Sequence, residues 1–335
     1  MNEYKVGLLG IGDIALEFHI PAIQAIDNCK IIAACDNDFK ILEGIDGKYN
    51  IKNLYLNYKD MLDSECLDIV IISTPNKFHA EHSIYSLSKG FNVLVEKPLA
   101  VNYEESINIE NAALINKKSI MCLHHNRFKD CSIQSKKIID SGKIGNIFYS
   151  KASILLSDNL PKKSHYLEST SIGGGPLYDV GYHLIDLAWW MMGGPKPSYA
   201  LGKLWNHNVS ENNDLSKCED FAIGNIYFEN GTTLLIEASY SAKLEDDLIE
   251  CTFFGEKGSL TWPNDYFFLK EKHNVLKIKV PSNDKQIVAT VEQIRYFLKM
   301  LDESVEPYIE SSSTVVSLIE KIIESSNTKK IAYFK

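Results

Sequence analysis

Residues 4–15 carry the sequence Tyr-Lys-Val-Gly-Leu-Leu-Gly-Ile-Gly-Asp-Ile-Ala. The apolar run from Tyr4 to Leu9 predicts a strand buried on both faces, because it does not alternate between apolar and polar residues. The glycines and small residues that follow it have the spacing of a tight turn that opens a helix. This strand–turn–helix pattern predicts the first unit of a nucleotide-binding α/β fold.

Each residue type in the turn has a physical reason to be there. Gly10 permits the tight turn, Gly12 lets the backbone approach a pyrophosphate, and Ala15 lets the helix lie close to the strand. The backbone N–H groups that open such a helix face the anion. Asp13 and Ile14, between the second glycine and the alanine, are further candidate cofactor contacts. The alternative is a structural glycine turn in another α/β fold.

An acidic residue follows the next predicted strand, which runs from Lys30 to Cys35. A carboxylate at this position, Asp36, accepts hydrogen bonds from both ribose hydroxyls and repels a 2′-phosphate. A second acid, Asp38, follows, and neither Arg nor Ser stands directly after Asp36. The pattern predicts NAD as the cofactor, with NADP less favoured.

Apolar strands and helical segments continue to alternate up to about residue 122. This alternation predicts βαβ units and a doubly wound parallel sheet over residues 1–122. Pro21 is expected to break the first helix near His19, since proline disrupts a helix interior. The further strands are predicted at Leu67–Ser73, Asn92–Val95 and Ser119–Leu123, with helices at His79–Lys89 and Tyr103–Lys117.

The second half, residues 123–335, has a different pattern. Longer strands with alternating polarity predict an α+β domain with an open, mostly antiparallel sheet, and Asn230-Gly231 predicts a hairpin turn between two of them. The last helices could pack back on the first domain. The predicted strands are Asn146–Leu156, Ser198–His207, Asp220–Glu229, Thr232–Tyr240 and Leu248–Gly255, and the helices are Leu184–Met192, Ala289–Ser304 and Ser313–Ser325.

Length and composition limit the classes of function. The 335 residues suggest two domains, and the net charge of −9 argues against nucleic acid or an anionic membrane as the main partner. The seven cysteines are scattered without a Cys-x-x-Cys pair, which is typical of reduced thiols. We find neither an apolar run long enough to span a membrane nor a signal peptide. These features predict a cytoplasmic protein.

Thr74, Pro75 and Asn76 follow the third predicted strand. Because the carboxyl ends of strands in open α/β sheets face the ligand crevice, these residues and the nearby His79 are candidate cofactor contacts. The structural alternative is a proline turn capped by Asn76. His79 and His82 suggest a metal pair less strongly than a helix surface or core histidines.

Glu96-Lys97-Pro98 closes the fourth predicted strand. A lysine at this strand end can donate a hydrogen bond to a substrate hydroxyl and stabilise negative charge on its oxygen. Pro98 favours extended geometry at Lys97. Glu96 is a candidate ribose contact or a partner for a cation, and the alternative for the whole tripeptide is a surface ion pair.

A glycine-rich segment precedes an acid and a histidine. Asp179 and His183 stand four residues apart, so they share a face if a helix begins near Asp179. A carboxylate near an imidazole orients it and raises its basicity, which makes His183 a candidate general acid–base. The alternatives are a capping Asp179 with a partly buried His183, or a metal pair that lacks an obvious third ligand.

Taken together, these pieces resemble the glucose–fructose oxidoreductase, inositol dehydrogenase and rhizopine-catabolism (Gfo/Idh/MocA) family. They occur in the order and spacing of that family, and they span nearly the whole chain. The matching pieces are Gly10-x-Gly12-x-x-Ala15, Asp36, Thr74-Pro75-Asn76 with His79, Glu96-Lys97-Pro98, Asn126-Arg127-Phe128, Gly142-Lys-Ile-Gly145, Gly173-Gly-Gly-x-x-x-Asp179-x-Gly181-x-His183-x-x-Asp186 and Val291–Phe297.

The resemblance implies an NAD(P)-dependent oxidoreductase with an N-terminal Rossmann domain and a C-terminal domain built on an open antiparallel sheet. It implies hydride transfer between nicotinamide and a carbinol carbon of a sugar, a cyclitol or a derivative. It also implies that His183 takes the hydroxyl proton, Lys97 orients and polarises that oxygen, and Asp179 supports the pair.

Further candidate substrate contacts are Asn126, Arg127 and Tyr166. The segment from Ser157 to Ile172 is expected to line the substrate pocket. Many relatives carry an Arg and a Trp there, whereas this chain has Lys162, Lys163, His165 and Tyr166. The resemblance therefore does not specify which sugar or polyol is the substrate.

Two other functions stay open at this stage. One branch of the family uses tightly bound NAD for glycoside hydrolysis, and that activity would proceed without net NADH production. A non-catalytic dinucleotide-binding sensor is the other, although such a protein would be expected to lose the lysine or the histidine. Apolar residues on both faces of the C-terminal strands, together with the resemblance, predict a homodimer or homotetramer assembled through that sheet.

Overall fold

In the computed structural model the chain forms two compact units. Unit 1 consists of Met1–His125 and Lys285–Ser313, and unit 2 consists of Asn126–Asp284 and Thr314–Lys335. The structure describes residues 3–49, 51–157, 173–207, 218–263, 266–271, 274–279, 285–310 and 312–334. None of the helices formed by these residues is both long enough and apolar enough to cross a bilayer.

The described residues form fifteen strands and nine α-helices. The strands are β1 (Tyr4–Leu9), β2 (Cys29–Cys35), β3 (Asn53–Tyr55), β4 (Ile69–Ile72), β5 (Asn92–Glu96), β6 (Ile120–Leu123), β7 (Ile147–Leu155), β8 (Pro197–Trp205), β9 (Phe221–Phe228), β10 (Thr233–Ser239), β11 (Leu248–Gly255), β12 (Gly258–Trp262), β13 (Tyr266–Glu271), β14 (Asn274–Lys279) and β15 (Ala332–Tyr333). The helices are α1 (Ile20–Gln24), α2 (Phe39–Ile45), α3 (Tyr58–Ser64), α4 (His79–Ser88), α5 (Tyr103–Asn116), α6 (Asp130–Asp140), α7 (Tyr182–Met191), α8 (Gln286–Glu303) and α9 (Ser313–Thr328).

The sheet of unit 1 is parallel throughout, with the order β3-β2-β1-β4-β5-β6. The order reverses direction at β1, as in a doubly wound nucleotide-binding fold. The predicted Rossmann sheet is confirmed. Its core combines the strands with helices on the sheet faces, and α8 adds Ile294, Phe297 and Leu298 to it.

The first helical segment differs from the prediction. A π-helical turn covers Ala15–His19 and continues directly into α1, so the chain stays helical through Pro21. Pro21 lies in the first turn of α1, directly after the change from π-helix to α-helix. The expected break near His19 is therefore a change of helix type and not an end of the helix.

The sheet of unit 2 has the order β14-β13-β12-β11-β7-β10-β9-β8-β15. Its neighbouring strands are antiparallel except for β7 and β10, which run parallel. The predicted mostly antiparallel sheet is confirmed. Asn230-Gly231 turns the chain between β9 and β10, with φ of 85° at Gly231, as the hairpin signal predicts.

Two glycines let α9 lie directly on one face of this sheet. A Cβ atom at Gly202 would stand 2.2 Å from the carbonyl oxygen of Ile322, and one at Gly224 would stand 2.6 Å from Ile322 Cδ1. Any larger side chain would push the helix away. Because side chains alternate along a strand, the neighbours of these glycines point to the opposite face.

Candidate active site

The glycine turn after β1 has the geometry of a pyrophosphate cradle. Gly10 has a φ of 89°, and a Cβ atom there would lie 2.7 Å from the carbonyl oxygen of Ser73. The Ser73 hydroxyl donates to the Gly10 carbonyl oxygen over 2.8 Å, which fixes the turn against the end of β4. At Gly12 no atom lies within 4 Å of the corresponding Cβ position. The turn is rigid at the first glycine and open at the second, which fits a pyrophosphate.

Asp36 is fixed at the same turn. Its Oδ2 accepts a hydrogen bond from the Ile11 backbone N–H over 2.8 Å, and its Oδ1 accepts one from the Asp38 N–H over 3.0 Å. A carboxylate oxygen has two lone pairs, so each oxygen can accept one further hydrogen bond. The half-buried carboxylate is thus oriented for the two hydroxyls of a ribose.

The other candidate cofactor contacts lie at the same edge of the parallel sheet. Asp13 and Ile14 are exposed at the start of the first helical segment, Thr74 and Asn76 are half-buried after β4, and Pro75 between them is exposed. Parallel strands end at one common edge, so the structure brings these residues to the edge that also carries the glycine turn.

His79 lies buried at the start of α4. Its side chain is only 1% exposed, with Nδ1 2.6 Å from the carbonyl oxygen of Pro98 and Nε2 2.7 Å from that of Thr74. Both ring nitrogens face backbone oxygens, and the cofactor contact of His79 stays a prediction. The neighbouring His82 places Nδ1 3.0 Å from Thr74 Oγ1, and burial lowers its pKa to about 4.

Glu96 has a partner that the sequence analysis missed. The Nε2 atom of His19 lies 2.9 Å from its Oε1, and His19 itself is buried. Burial acts to raise the pKa of Glu96, but His19 and the charge of Lys97 outweigh it and hold that pKa below its ordinary value. Glu96 thus faces His19, and its predicted ribose contact stays a prediction. A histidine in the turn after a glycine loop was the signal available in the sequence.

Lys97 follows β5 directly and is half-buried. Its backbone N–H donates to Glu96 Oε2 over 3.2 Å. The next residue, Pro98, is buried and is the one whose carbonyl oxygen contacts His79. Lys97 therefore leaves the sheet at the nucleotide-binding edge, between two residues that are each held by a buried histidine.

In unit 2, Asp179 lies on a π-helical turn, Leu177–Gly181, directly before α7. Its Oδ2 accepts a hydrogen bond from the hydroxyl of Tyr240 over 3.0 Å. Tyr240 is 1% exposed, and burial, followed by the charge of Asp179, raises its pKa far above the ordinary value. Tyr240 thus stays a donor, and it fixes the carboxylate. Sequence reasoning did not identify this residue.

His183 occupies the first turn of α7 and is half-buried. The predicted helix was expected to begin at Leu184, and α7 begins at Tyr182. Asp179 precedes it on a π-helical turn, whose hydrogen bonds close over five residues. The four-residue spacing of Asp179 and His183 therefore does not correspond to one α-helical turn.

Arg127, which is half-buried, and Asp186, which is buried, form an ion pair within unit 2. The Arg127 Nε donates to Asp186 Oδ2 over 2.9 Å, and Nη2 contacts Oδ1, so the pairing is bidentate. Their side chains are 12% and 2% exposed. The pair uses two of the five guanidinium N–H groups, and the planar fork suits a carboxylate.

Asn126 is 7% exposed, and its Oδ1 has no hydrogen-bond partner among the described residues. An unsatisfied buried oxygen is costly, so such an atom marks a place where a ligand or water donates. Tyr166, with Lys162, Lys163 and His165, lies outside the described residues.

Comparisons with known proteins agree with this architecture. The family model of the GFO/IDH/MocA oxidoreductases, NAD-binding Rossmann fold, matches residues 4–124, and the model of the GFO/IDH/MocA C-terminal domain matches residues 133–261. D-glucoside 3-dehydrogenase of Escherichia coli is 26% identical over 274 residues, which cover 78% of this chain and 77% of that protein.

Solved structures show the same fold. Myo-inositol 2-dehydrogenase from Lactobacillus plantarum superposes with a TM-score of 0.83 at 22% identity, covering 100% of both chains. Levoglucosan dehydrogenase, in complex with NADH and levoglucosan, gives a TM-score of 0.86 at 20% identity, covering 98% of this chain and 99% of that one. With two family models that together span most of its length and an NAD-binding Rossmann sheet, this chain belongs to the Gfo/Idh/MocA family of oxidoreductases.

Proposed function

We propose that the protein is an NAD-dependent dehydrogenase that transfers hydride from a carbinol carbon of a sugar, a cyclitol or a derivative. The observation that carries the proposal is the place of Lys97 at the carboxyl edge of the Rossmann sheet, the edge that also presents Gly10 and Asp36. The names of the similar proteins, a glucoside, an inositol and a levoglucosan dehydrogenase, support this substrate class.

Three side chains supply the chemistry. When bound, the nicotinamide accepts the hydride. His183 takes the proton of the substrate hydroxyl as general base. Lys97 donates to the same oxygen and stabilises its developing negative charge. Asp179, held by Tyr240, supports the basicity of the imidazole.

The proposed substrate contacts are Lys97, Asn126, Arg127, Tyr166, Asp179 and His183. The unsatisfied Oδ1 of Asn126 suits a substrate hydroxyl, which donates as well as it accepts. Arg127, paired with Asp186 in the same unit, is proposed as a substrate contact because a guanidinium is a donor to sugar oxygens.

A screen of sugars, inositols and nucleotide sugars for NAD reduction tests the proposal. A substrate-dependent rise in NADH absorbance is expected. Hydrolysis of a glycoside without net NADH would identify a glycosidase instead. Dinucleotide binding without turnover on any polyol would identify a sensor.

We expect NAD to bind more tightly than NADP. A 2′-phosphate would meet the Asp36 carboxylate, which the Ile11 and Asp38 N–H groups hold in place, and Asp38 adds a second negative charge nearby. The negative phosphate and the two carboxylates would repel one another, which would weaken the binding of NADP. Fluorescence titration of both reduced cofactors checks this preference. The variant Asp36→Ala should weaken NADH binding and reduce the difference in affinity between NADH and NADPH. Tighter binding of NADPH than of NADH by the wild-type protein would overturn the expected preference.

A homodimer or homotetramer formed through the open face of the unit 2 sheet is the proposed assembly. With α9 packed over Gly202 and Gly224, the opposite face presents the half-buried apolar residues Ile223, Tyr227 and Leu235 beside the Lys151–Glu237 ion pair. An apolar surface of this kind is usually covered by a partner.

Light scattering should therefore give a mass that is a multiple of 37.9 kDa. The variant Ile223→Glu, which places a charge among the apolar residues of this face, should shift the mass toward the monomer. Lys203→Glu, on the same face but already charged, is the matched control. A wild-type protein that stays monomeric at micromolar concentration would contradict this assembly.

A further inference from the structure

His79 connects two backbone segments, and each of them follows a different strand of the unit 1 sheet. The carbonyl oxygen of Thr74, 2.7 Å from Nε2, lies just after β4, and that of Pro98, 2.6 Å from Nδ1, lies just after β5. The ring is buried at the start of α4. Pro98 is the residue next to Lys97, so one end of this bridge holds the backbone from which the lysine side chain projects.

The number of hydrogen bonds that His79 can donate depends on whether its ring is protonated. A carbonyl oxygen only accepts, and a neutral imidazole has one N–H, so it can donate to only one of the two oxygens. An imidazolium donates to both. Burial opposes that charge and acts to lower the pKa of His79, and Lys97 acts in the same direction, while the two carbonyl oxygens and the negative Glu96 act to raise it. The contact with Pro98 is the shorter of the two.

We propose that His79 is a positioning residue: its Nδ1–H donates to the Pro98 carbonyl oxygen and thereby fixes the backbone that carries Lys97. This inference rests on the proposed function, in which Lys97 acts on the substrate oxygen. It assigns His79 no contact with cofactor or substrate. A displacement of about 1 Å at a reacting group can lower a rate roughly 100-fold, so a single backbone anchor is sufficient to matter.

Two conservative variants, His79→Asn and His79→Gln, each keep a hydrogen-bond donor at only one end of the bridge. The amide nitrogen of asparagine takes approximately the place of Nδ1 and can still donate to Pro98. The amide nitrogen of glutamine takes approximately the place of Nε2 and reaches Thr74 instead. We expect His79→Asn to retain a kcat about 3- to 10-fold higher than His79→Gln, the effect of one hydrogen bond.

A second readout needs neither substrate nor cofactor. The rate at which acetic anhydride acylates Lys97, followed by mass spectrometry, reports the environment of its amine. His79→Gln should change that rate at least about threefold relative to wild type, again the effect of one hydrogen bond, and His79→Asn should not. The matched control is His82→Ala, which removes a second buried histidine from α4 without touching Pro98.

The outcomes are distinct. If both variants of His79 acylate at Lys97 like the wild type, or if Asn and Gln give the same kcat, the proposal is wrong even when the enzyme is active. If the wild-type protein oxidises no polyol, the proposed function fails, and the acylation rates still decide whether His79 positions Lys97.

Discussion

Replacing His183 by alanine is expected to lower kcat by about 10²- to 10⁴-fold, the usual range for loss of a general acid–base. That range corresponds to about 3–5 kcal/mol of activation free energy. The rate falls because the alanine variant lacks the proposed base that takes the proton of the substrate hydroxyl. Binding of NADH should change little, since its proposed contacts, Gly10, Gly12 and Asp36, lie in unit 1. Steady-state kinetics and a fluorescence titration check the two parts.

Lys97→Ala should cause a comparable loss, because the oxygen then lacks its positive partner. The double variant should be little worse than either single variant, since in the proposed mechanism both groups act on one oxygen and their effects are not additive. Lys97→Arg keeps the positive charge but places it on a planar guanidinium, and it serves as the matched control. If both alanine variants keep near-normal rates on an identified substrate, the assignment of the active site is wrong.

The second large effect concerns stability. Asp186→Leu is expected to destabilise the protein by about 3–5 kcal/mol, because it leaves the guanidinium of Arg127, only 12% exposed, without its carboxylate. Asp186 is 2% exposed and the pairing is bidentate, so solvent cannot replace the lost partner. Denaturation in urea measures the change in the free energy of unfolding.

The double variant Arg127→Met with Asp186→Leu should recover most of that loss, since no uncompensated charge remains. Lys196→Ala, which breaks an exposed ion pair with Glu229 in the same unit, is the control and should change stability by less than about 1 kcal/mol. A loss of similar size in the single and the double variant would show that packing rather than charge explains the effect.

Local signals in the sequence predict most of the fold. The strand Tyr4–Leu9 and the strand Leu248–Gly255 have the predicted bounds, because a mostly apolar run and the alternation over residues 249–253 are properties of short segments. The turn at Asn230-Gly231 follows from the need for positive φ. Gly10 and Asp36 could likewise be predicted as site residues, because each directly follows a predicted strand in the chain.

The remaining features depend on residues that are far apart in the chain. Tyr240 reaches Asp179 because β10 passes beside the turn before α7, and no local pattern states that pairing. The contact of His19 with Glu96 depends in the same way on the position of β5 in the sheet. Short elements such as β3, with three residues, are stabilised by pairing with a neighbour and leave no periodic signal of their own.

Helix type was also beyond local reasoning. The π-helical turns at Ala15–His19 and Leu177–Gly181 contain residues that are equally compatible with an α-helix. Such turns occur frequently at functional sites. Here they follow the glycine turn in unit 1 and carry Asp179 in unit 2.

The central claim is that this chain oxidises a polyol with NAD through His183 and Lys97. The most direct measurement is the rate of NADH formation by the wild-type protein and by His183→Ala on a panel of sugars and cyclitols. We predict at least one substrate that reduces NAD with the wild-type protein and about 10²-fold or more slowly with the variant. Equal rates for the two proteins, or glycoside hydrolysis with no net NADH, would contradict the account.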